Sequence, residues 1–179
     1  PCALGEGMLD LSQFAGGEPP AAENWEDAVF ETRPWYERED GSDWRYQADM
    51  YRSGKYVEHV LTALQKRGEI FDILDSFRTQ EAQPGEREAY YPVAIYCPHC
   101  KKDTTKIVSL TEDCHVAHYK CACGHEGDFN FTTDFNCKLA WKIDWPMRWR
   151  YEKVDFEPGG KDHAAPTGSY SNSKVISRR

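Results

Sequence analysis

An α/β chain is expected from two changes of texture along the sequence and from the way its cysteines are grouped. Apolar residues recur at helical spacing between residues 43 and 88. Between residues 89 and 138, short β-like runs alternate with turn residues and Cys, and from Leu139 onward the chain returns to a larger α/β body. Of seven Cys, four fall into two close pairs, Cys97/Cys100 and Cys121/Cys123. At 179 residues the chain is long enough for one ordinary domain carrying a small insert, and a 40% hydrophobic content allows a core.

The formal net charge of −8 argues against a protein that clings to nucleic acid over its whole surface, DNA included, though it leaves room for a local basic patch. No apolar run approaches the roughly 18 residues of a membrane span, so no membrane partner is expected. The start, "PCALGEGMLDLSQ", has no charged region followed by an apolar one, so a cytoplasmic location and metal-binding rather than disulfide-bonded Cys are expected. It also lacks an initiator Met, which suggests a processed or excised piece.

Residues 1–42 form an irregular or helical lead-in, with "AGGEPPAAENWED" as a loop and Glu23 or Asn24 as a possible helix start. Residues 43–88 are expected as a helical hairpin. Ser42-Asp43 caps a first turn that continues through "WRYQADMYRS", and Gly54 interrupts it. Tyr56, Val57, Val60, Leu61 and Leu64 make one apolar stripe, which Gly68 closes. Ile70, Phe71, Ile73, Leu74 and Phe77 make the next, and the two helices should pack antiparallel as core faces without chemistry. "QPGERE" breaks the pattern. Residues 89–138 hold the runs "YYPVAIY", "TKIVSL", "VAHYK" and "DFNFTT". In residues 139–179, "VDFEP" reads as a strand with "GGKDH" as its exit loop, and "SNSKVISRR" as the start of a helix.

Zinc takes four soft donors in a tetrahedron, and a Cys pair on each of two tight turns supplies them. Cys97, Cys100, Cys121 and Cys123 are therefore the expected ligands of a structural zinc in a zinc-ribbon-like insert. A piece of about 50 residues has little core, so bound metal would add folding energy. The second pair is C-x-C, one residue shorter than the usual knuckle; His125, His118 or Cys114 could replace one of its members. Four protein ligands leave no open position for a substrate.

Two C-terminal stretches remain, "KLAWKIDWPMRW" (Lys138–Trp149) and "FEPGGKDH" (Phe156–His163). Three Trp within nine residues, interleaved with Lys142, Asp144 and Arg148, could pack a core or wall a pocket. The combination of W-K-x-D-W-P-x-R-W, then E-P-x-G-K-D-H and a small-residue loop ending in Ser169-Tyr170, resembles class I lysyl-tRNA synthetase of the archaeal type. "MYRSGKYVEHVLTAL" with "IFDIL", and "YPVAIYCPHC" with "YKCACGHEG", are similar to that family's helical and zinc-bearing segments. The resemblance covers about residues 45–171 in consistent order.

The resemblance implies part of a Rossmann-type catalytic domain, with the helical segment and the zinc-ribbon-like β subdomain inserted. It implies an ATP-dependent ligase that forms lysyl-adenylate and passes lysine to tRNA(Lys). Such chemistry works by positioning and by stabilising phosphate charge. By resemblance, Trp141 and His163 line the lysine pocket. Gly160 admits a close backbone approach, and Asp162 accepts hydrogen bonds from ribose hydroxyls or an ammonium. Asp144, Trp145 and Arg148 shape the same pocket. Lysine, ATP with Mg²⁺, and the acceptor end of tRNA(Lys) are the implied partners, with Lys101, Lys102, Lys106 and Lys120 as possible phosphate contacts.

Neither ATP signature of class I synthetases, an H-x-G-[HN] motif or a K-M-S-K-S-type loop, stands here in a credible setting. The chain is therefore expected to be an internal fragment that does not activate lysine alone; lysine-dependent ATP–pyrophosphate exchange by it would overturn that. Two other readings are a non-catalytic zinc-ribbon module that binds RNA or protein, and a class I synthetase for another amino acid.

Overall fold

The computed structural model describes residues 46–179, so the lead-in over residues 1–42 and the cap at Ser42-Asp43 lie outside the described residues. Helix α1 (Gln47–Arg52) comes first. Gly54 ends that segment with φ of 75°, and a Cβ there would lie 2.9 Å from the Phe135 ring. Backbone conformation and close approach both call for glycine at this point.

Helices α2 (Val57–Gln65) and α3 (Arg67–Ser76) follow the two apolar stripes. Gly68 does not close the first of them, contrary to expectation. The break falls at Lys66, and Gly68 lies in the first turn of α3. Its reason is packing, because the Arg87 guanidinium occupies the space a Cβ would take, with Nη2 at 2.9 Å. Arg87 in turn holds Asp72 through two hydrogen bonds of 2.6 and 2.8 Å, tying α4 (Glu86–Ala89) to α3.

Strand β1 (Val93–Ile95) pairs antiparallel with β5 (Cys137–Leu139), placing Val93 opposite Leu139. Between them β2 (Thr105–Leu110), β3 (Val116–Cys121) and β4 (Glu126–Asn130) form an antiparallel meander. β2 and β3 match the runs picked out by alternation and turn residues, while β4 starts two residues before its run and stops at Asn130, where the chain turns. The Thr105 hydroxyl donates to the Ile95 carbonyl at 2.6 Å and links the two sheets. Among the described residues every strand pairing is antiparallel.

One core joins both sheets to the helices. Ile95, Ala117, Phe131, Leu139 and Ile143 are buried in it with Tyr56 and Leu64. Edge-on contacts run from Tyr51 to Tyr56 and on to Tyr151, each with ring centroids 4.9 Å apart.

Helix α5 (Trp141–Tyr151) carries the Trp-rich motif, and two residues past its end Lys153 has a φ of 53°. The strand expected over "VDFEP" is not formed; the segment is irregular. Val154 is 37% and Phe156 65% exposed, so neither has a core face to bury, and among the described residues no neighbouring strand offers a ladder. Helix α6 (Ser169–Ile176) forms where a helix start was expected.

Candidate functional site

Two tight turns bring the cysteines together. In the first, Lys101 N donates to the Cys97 carbonyl at 2.9 Å and Cys97 N donates to the Lys102 carbonyl at 2.9 Å. In the second, Cys121 N donates to the His125 carbonyl at 2.8 Å and Gly124 N to the Cys121 carbonyl at 2.9 Å. The Sγ atoms of Cys97, Cys100, Cys121 and Cys123 all lie within 4.8 Å of one another.

A tetrahedral site with metal–sulfur bonds of about 2.3 Å has edges of about 3.8 Å. Two observed edges, Cys97–Cys123 at 3.7 Å and Cys100–Cys121 at 3.6 Å, fit it. The C-x-C spacing thus suffices, because Cys123 reaches across to Cys97. The other candidates stand apart from this group. His118 Nδ1 lies 2.9 Å from Asp128 Oδ1, Cys114 is buried in the core, and His125 stacks with His99 at 6.2 Å. The backbone N–H of Cys123 and the Thr104 hydroxyl hold the Cys121 thiol down, while the neighbouring sulfurs of Cys121, Cys100 and Cys97 push Cys123 up against the His125 amide, so the first thiolate of this pair forms on Cys121.

The second constellation centres on buried Trp145. Its ring stacks on Trp141 at 5.3 Å and meets Trp149 edge-on at 5.0 Å. It also meets His163 at 5.6 Å and Tyr170 at 5.8 Å. Its Nε1 donates to Glu157 Oε1 at 2.7 Å, and the Tyr170 hydroxyl donates to the Glu157 carbonyl at 3.3 Å. Residues 141, 145 and 149 share a helix face because they are four apart.

Gly168 closes the loop onto α6. A Cβ there would collide with the His163 carbonyl and stand 2.8 Å from the Asp162 carbonyl. With that space clear, Tyr170 N donates to the His163 carbonyl at 2.9 Å and sets the His163 ring against Trp145.

Asp144 sits on the neighbouring face of α5. It accepts from the Tyr51 hydroxyl at 2.6 Å and pairs with Arg148 Nε at 2.9 Å, while the Arg148 guanidinium lies over the Trp141 ring at 5.6 Å. Leu139 N donates to the Tyr51 oxygen at 3.1 Å. Burial first, and then the Asp144 charge, push the Tyr51 hydroxyl far above its ordinary value, so it stays a donor.

Trp141, Trp145, Arg148, Asp144 and His163 are thus joined by contacts. Asp162 and Gly160 are exposed on the adjoining loop, and a Cβ on Gly160 would meet only His163 Cδ2, at 3.9 Å. Sequence reasoning missed Tyr51 and Glu157 as site residues. Each stood inside a quoted motif, but only the fold shows which side chain it meets. Trp141 and Asp144, with Tyr51, also line a cleft of about 810 Å³ between α1, β5 and the turn at Lys101.

Comparison with known proteins first defines the class. Residues 37–179 match a family model described as tRNA synthetases class I (K). Similar curated proteins include the lysine-tRNA ligase of Thermococcus kodakarensis, 45% identical over 135 residues, covering 75% of this chain and 25% of that protein. The lysine-tRNA ligase of Borreliella burgdorferi is 38% identical over 130 residues, covering 73% and 24%. That of Streptomyces coelicolor is 36% identical over 152 residues, covering 69% and 26%. The chain belongs to the tRNA synthetases class I (K) family. It spans about a quarter of the length of the curated relatives it matches.

Proposed function

We propose that the chain is part of a cytoplasmic lysine-tRNA ligase, and that it supplies one wall of the lysine and lysyl-adenylate site together with a zinc-ribbon-like module. The reading rests on Trp145, buried at the junction of Trp141, His163, Tyr170 and Glu157. An aromatic surface beside fixed carboxylates suits a primary ammonium, through cation–π attraction and charge-assisted hydrogen bonds. Trp141 and His163 contact lysine. Asp144, Trp145 and Arg148 shape the pocket, and Glu157 orients Trp145. Gly160 leaves room for the nucleotide, and Asp162 accepts from ribose hydroxyls.

In the whole enzyme the lysine carboxylate attacks the α-phosphate of ATP and pyrophosphate leaves. The lysyl group then passes to the terminal ribose of tRNA(Lys). Mg²⁺ would neutralise charge on the phosphates. The remaining part of a Rossmann-type fold belongs to the same proposal. Cys97, Cys100, Cys121 and Cys123 hold zinc, whose role is to fix the two turns; the closed donor set leaves it no substrate position.

Lysine titrated into the chain, followed by Trp emission, tests the site. A saturable change is expected with lysine and not with leucine. His163→Ala should weaken lysine about tenfold, the loss of one hydrogen bond to a charged group. An equal response to leucine, or none to either, would overturn the reading.

A further inference from the structure

The four converging sulfurs differ in access. Among the described cysteines Cys123 is the exposed one, Cys100 is half-buried, and Cys97 and Cys121 are buried. The short sulfur contacts cross between the turns and join unlike members. Cys123 stands 3.7 Å from Cys97, and Cys100 stands 3.6 Å from Cys121. Each pair thus couples a sulfur that solvent reaches to one that is buried.

The two pairs are not equivalent. The Thr104 hydroxyl lies 3.4 Å from the Cys121 sulfur and shields it, whereas the side chain beside the Cys123 sulfur is His99, with Nδ1 at 3.9 Å. Cys97 is anchored by its own turn, its N–H and carbonyl both bonded to the Lys101–Lys102 backbone. The movement that would join Cys97 to Cys123 therefore falls to the exposed Cys123 side chain. Next to it, a Cβ on Gly124 would meet nothing within 4 Å, so that side of the turn is open. Metal-bound thiols are all deprotonated, so access rather than acidity decides which sulfur an oxidant meets. Exposed thiolates beside a second cysteine are the ones that peroxides convert reversibly to disulfides.

We propose that Cys123 is the peroxide-reactive sulfur of this module and that Cys97 resolves it into a reversible cross-turn disulfide. The Cys123 thiolate attacks one oxygen of a peroxide, and the O–O bond breaks. The other oxygen leaves as hydroxide and takes a proton to become water, which leaves a sulfenic acid on Cys123. The Cys97 thiolate then attacks that sulfur; the S–S bond forms, the S–O bond breaks, and a second hydroxide leaves as water. Two thiolates lose two electrons in all, and one hydrogen peroxide gains them. Release of zinc rests on the proposed function, but the disulfide does not. With two of four sulfurs withdrawn, the remaining pair is too few for a structural site and the ion departs. A reducing thiol reverses the step by exchange.

Hydrogen peroxide in small excess is added to the 179-residue chain, whose zinc content is measured first. Free thiols are then alkylated and the chain is digested with trypsin without reduction. Cys97 and Cys100 fall in the peptide of residues 88–101, and Cys121, Cys123 and Cys137 in that of residues 121–138. A link between these two peptides is expected, placed by fragmentation at Cys97 and Cys123, with about one zinc ion released to a chromogenic chelator. Dithiothreitol with added zinc should restore the starting state. Cys123→Ser should abolish the link and leave Cys97 open to alkylation; if that variant does not fold, the map of the unaltered chain decides. No link, a link from Cys97 to Cys100 or at Cys137, sulfinic acid on Cys123 in place of a link, or zinc retained after the link has formed would overturn the proposal. The same Cys97–Cys123 link in a chain that held no zinc at the start would count against the proposed zinc alone.

Discussion

The Cys meander and the Trp145 site are built on opposite principles. In the meander, backbone ladders run along β2, β3 and β4, and four thiols converge at two turns. Its geometry is specified by hydrogen bonds whose spacing the chain cannot vary. Around Trp145, the loop from Val154 to Gly168 has no ladder. Its position depends on ring contacts, the Glu157 hydrogen bond and one forced glycine. Rigid backbone suits a metal turn, whereas a loop held by side chains can adjust around a substrate. The difference predicts that the two regions fail for different reasons, even though β3 and α5 meet in one core through Ala117 and Ile143.

Metal removal should have the largest effect. The chain should hold about one zinc ion, and structural zinc in small modules is worth on the order of 10 kcal/mol. Chelation, or Cys97→Ser, should therefore expose the β2–β4 amides to hydrogen exchange. The Trp145 cluster should keep its emission, because none of its contacts involves the meander. If both regions lose order together, the contrast is wrong. Gly168→Ala is the converse break. The new Cβ meets backbone carbonyls that cannot swing away, so a loss of roughly 2–4 kcal/mol is expected. Thermal unfolding and Trp emission should report it, with metal content unchanged.

The same contrast governs what could be seen in the sequence. Period-two runs and turn residues gave β2 and β3 nearly to the residue, because strand alternation and Cys spacing are local signals, whereas β4 begins and ends before the run read for it at residues 128–133. Only the local part of the Trp145 site was legible. Trp141, Trp145 and His163 stand in recognisable motifs, yet "VDFEP" carried an apolar pattern that no partner strand among the described residues supports. Gly68 misled for a related reason: its role is set by Arg87, nineteen positions away. Tyr51 meets Asp144 across 93 positions, a distance no local pattern can encode.

Tyr51→Phe separates site geometry from overall packing. It keeps the ring contact with Tyr56 but removes the hydroxyl that serves both Asp144 and the Leu139 amide. An unsatisfied buried amide costs about 1–3 kcal/mol. The melting temperature should fall accordingly, and lysine affinity should fall with it because Asp144 is freed to turn. An unchanged melting temperature would mean that water replaces the hydroxyl.

The smallest expected effect is a pH dependence at His59 on α2, which meets Tyr151 edge-on at 5.7 Å near the end of α5. Burial lowers its pKa from the ordinary 6.5; Arg150 adds to the lowering and Glu58 opposes it. The unfolded chain therefore takes up this proton more readily than the folded one. Stability associated with neutral His59 is fully present above pH 6.5 and is lost as pH falls through the lower folded value. His59→Gln should flatten that part of a stability–pH curve, read by urea unfolding at a series of pH values. Because His59 touches the helix that carries Trp145 and not the Cys turns, metal affinity should follow the same pH course in both proteins. A metal affinity that shifts with His59→Gln would show that the two regions are coupled through the helices.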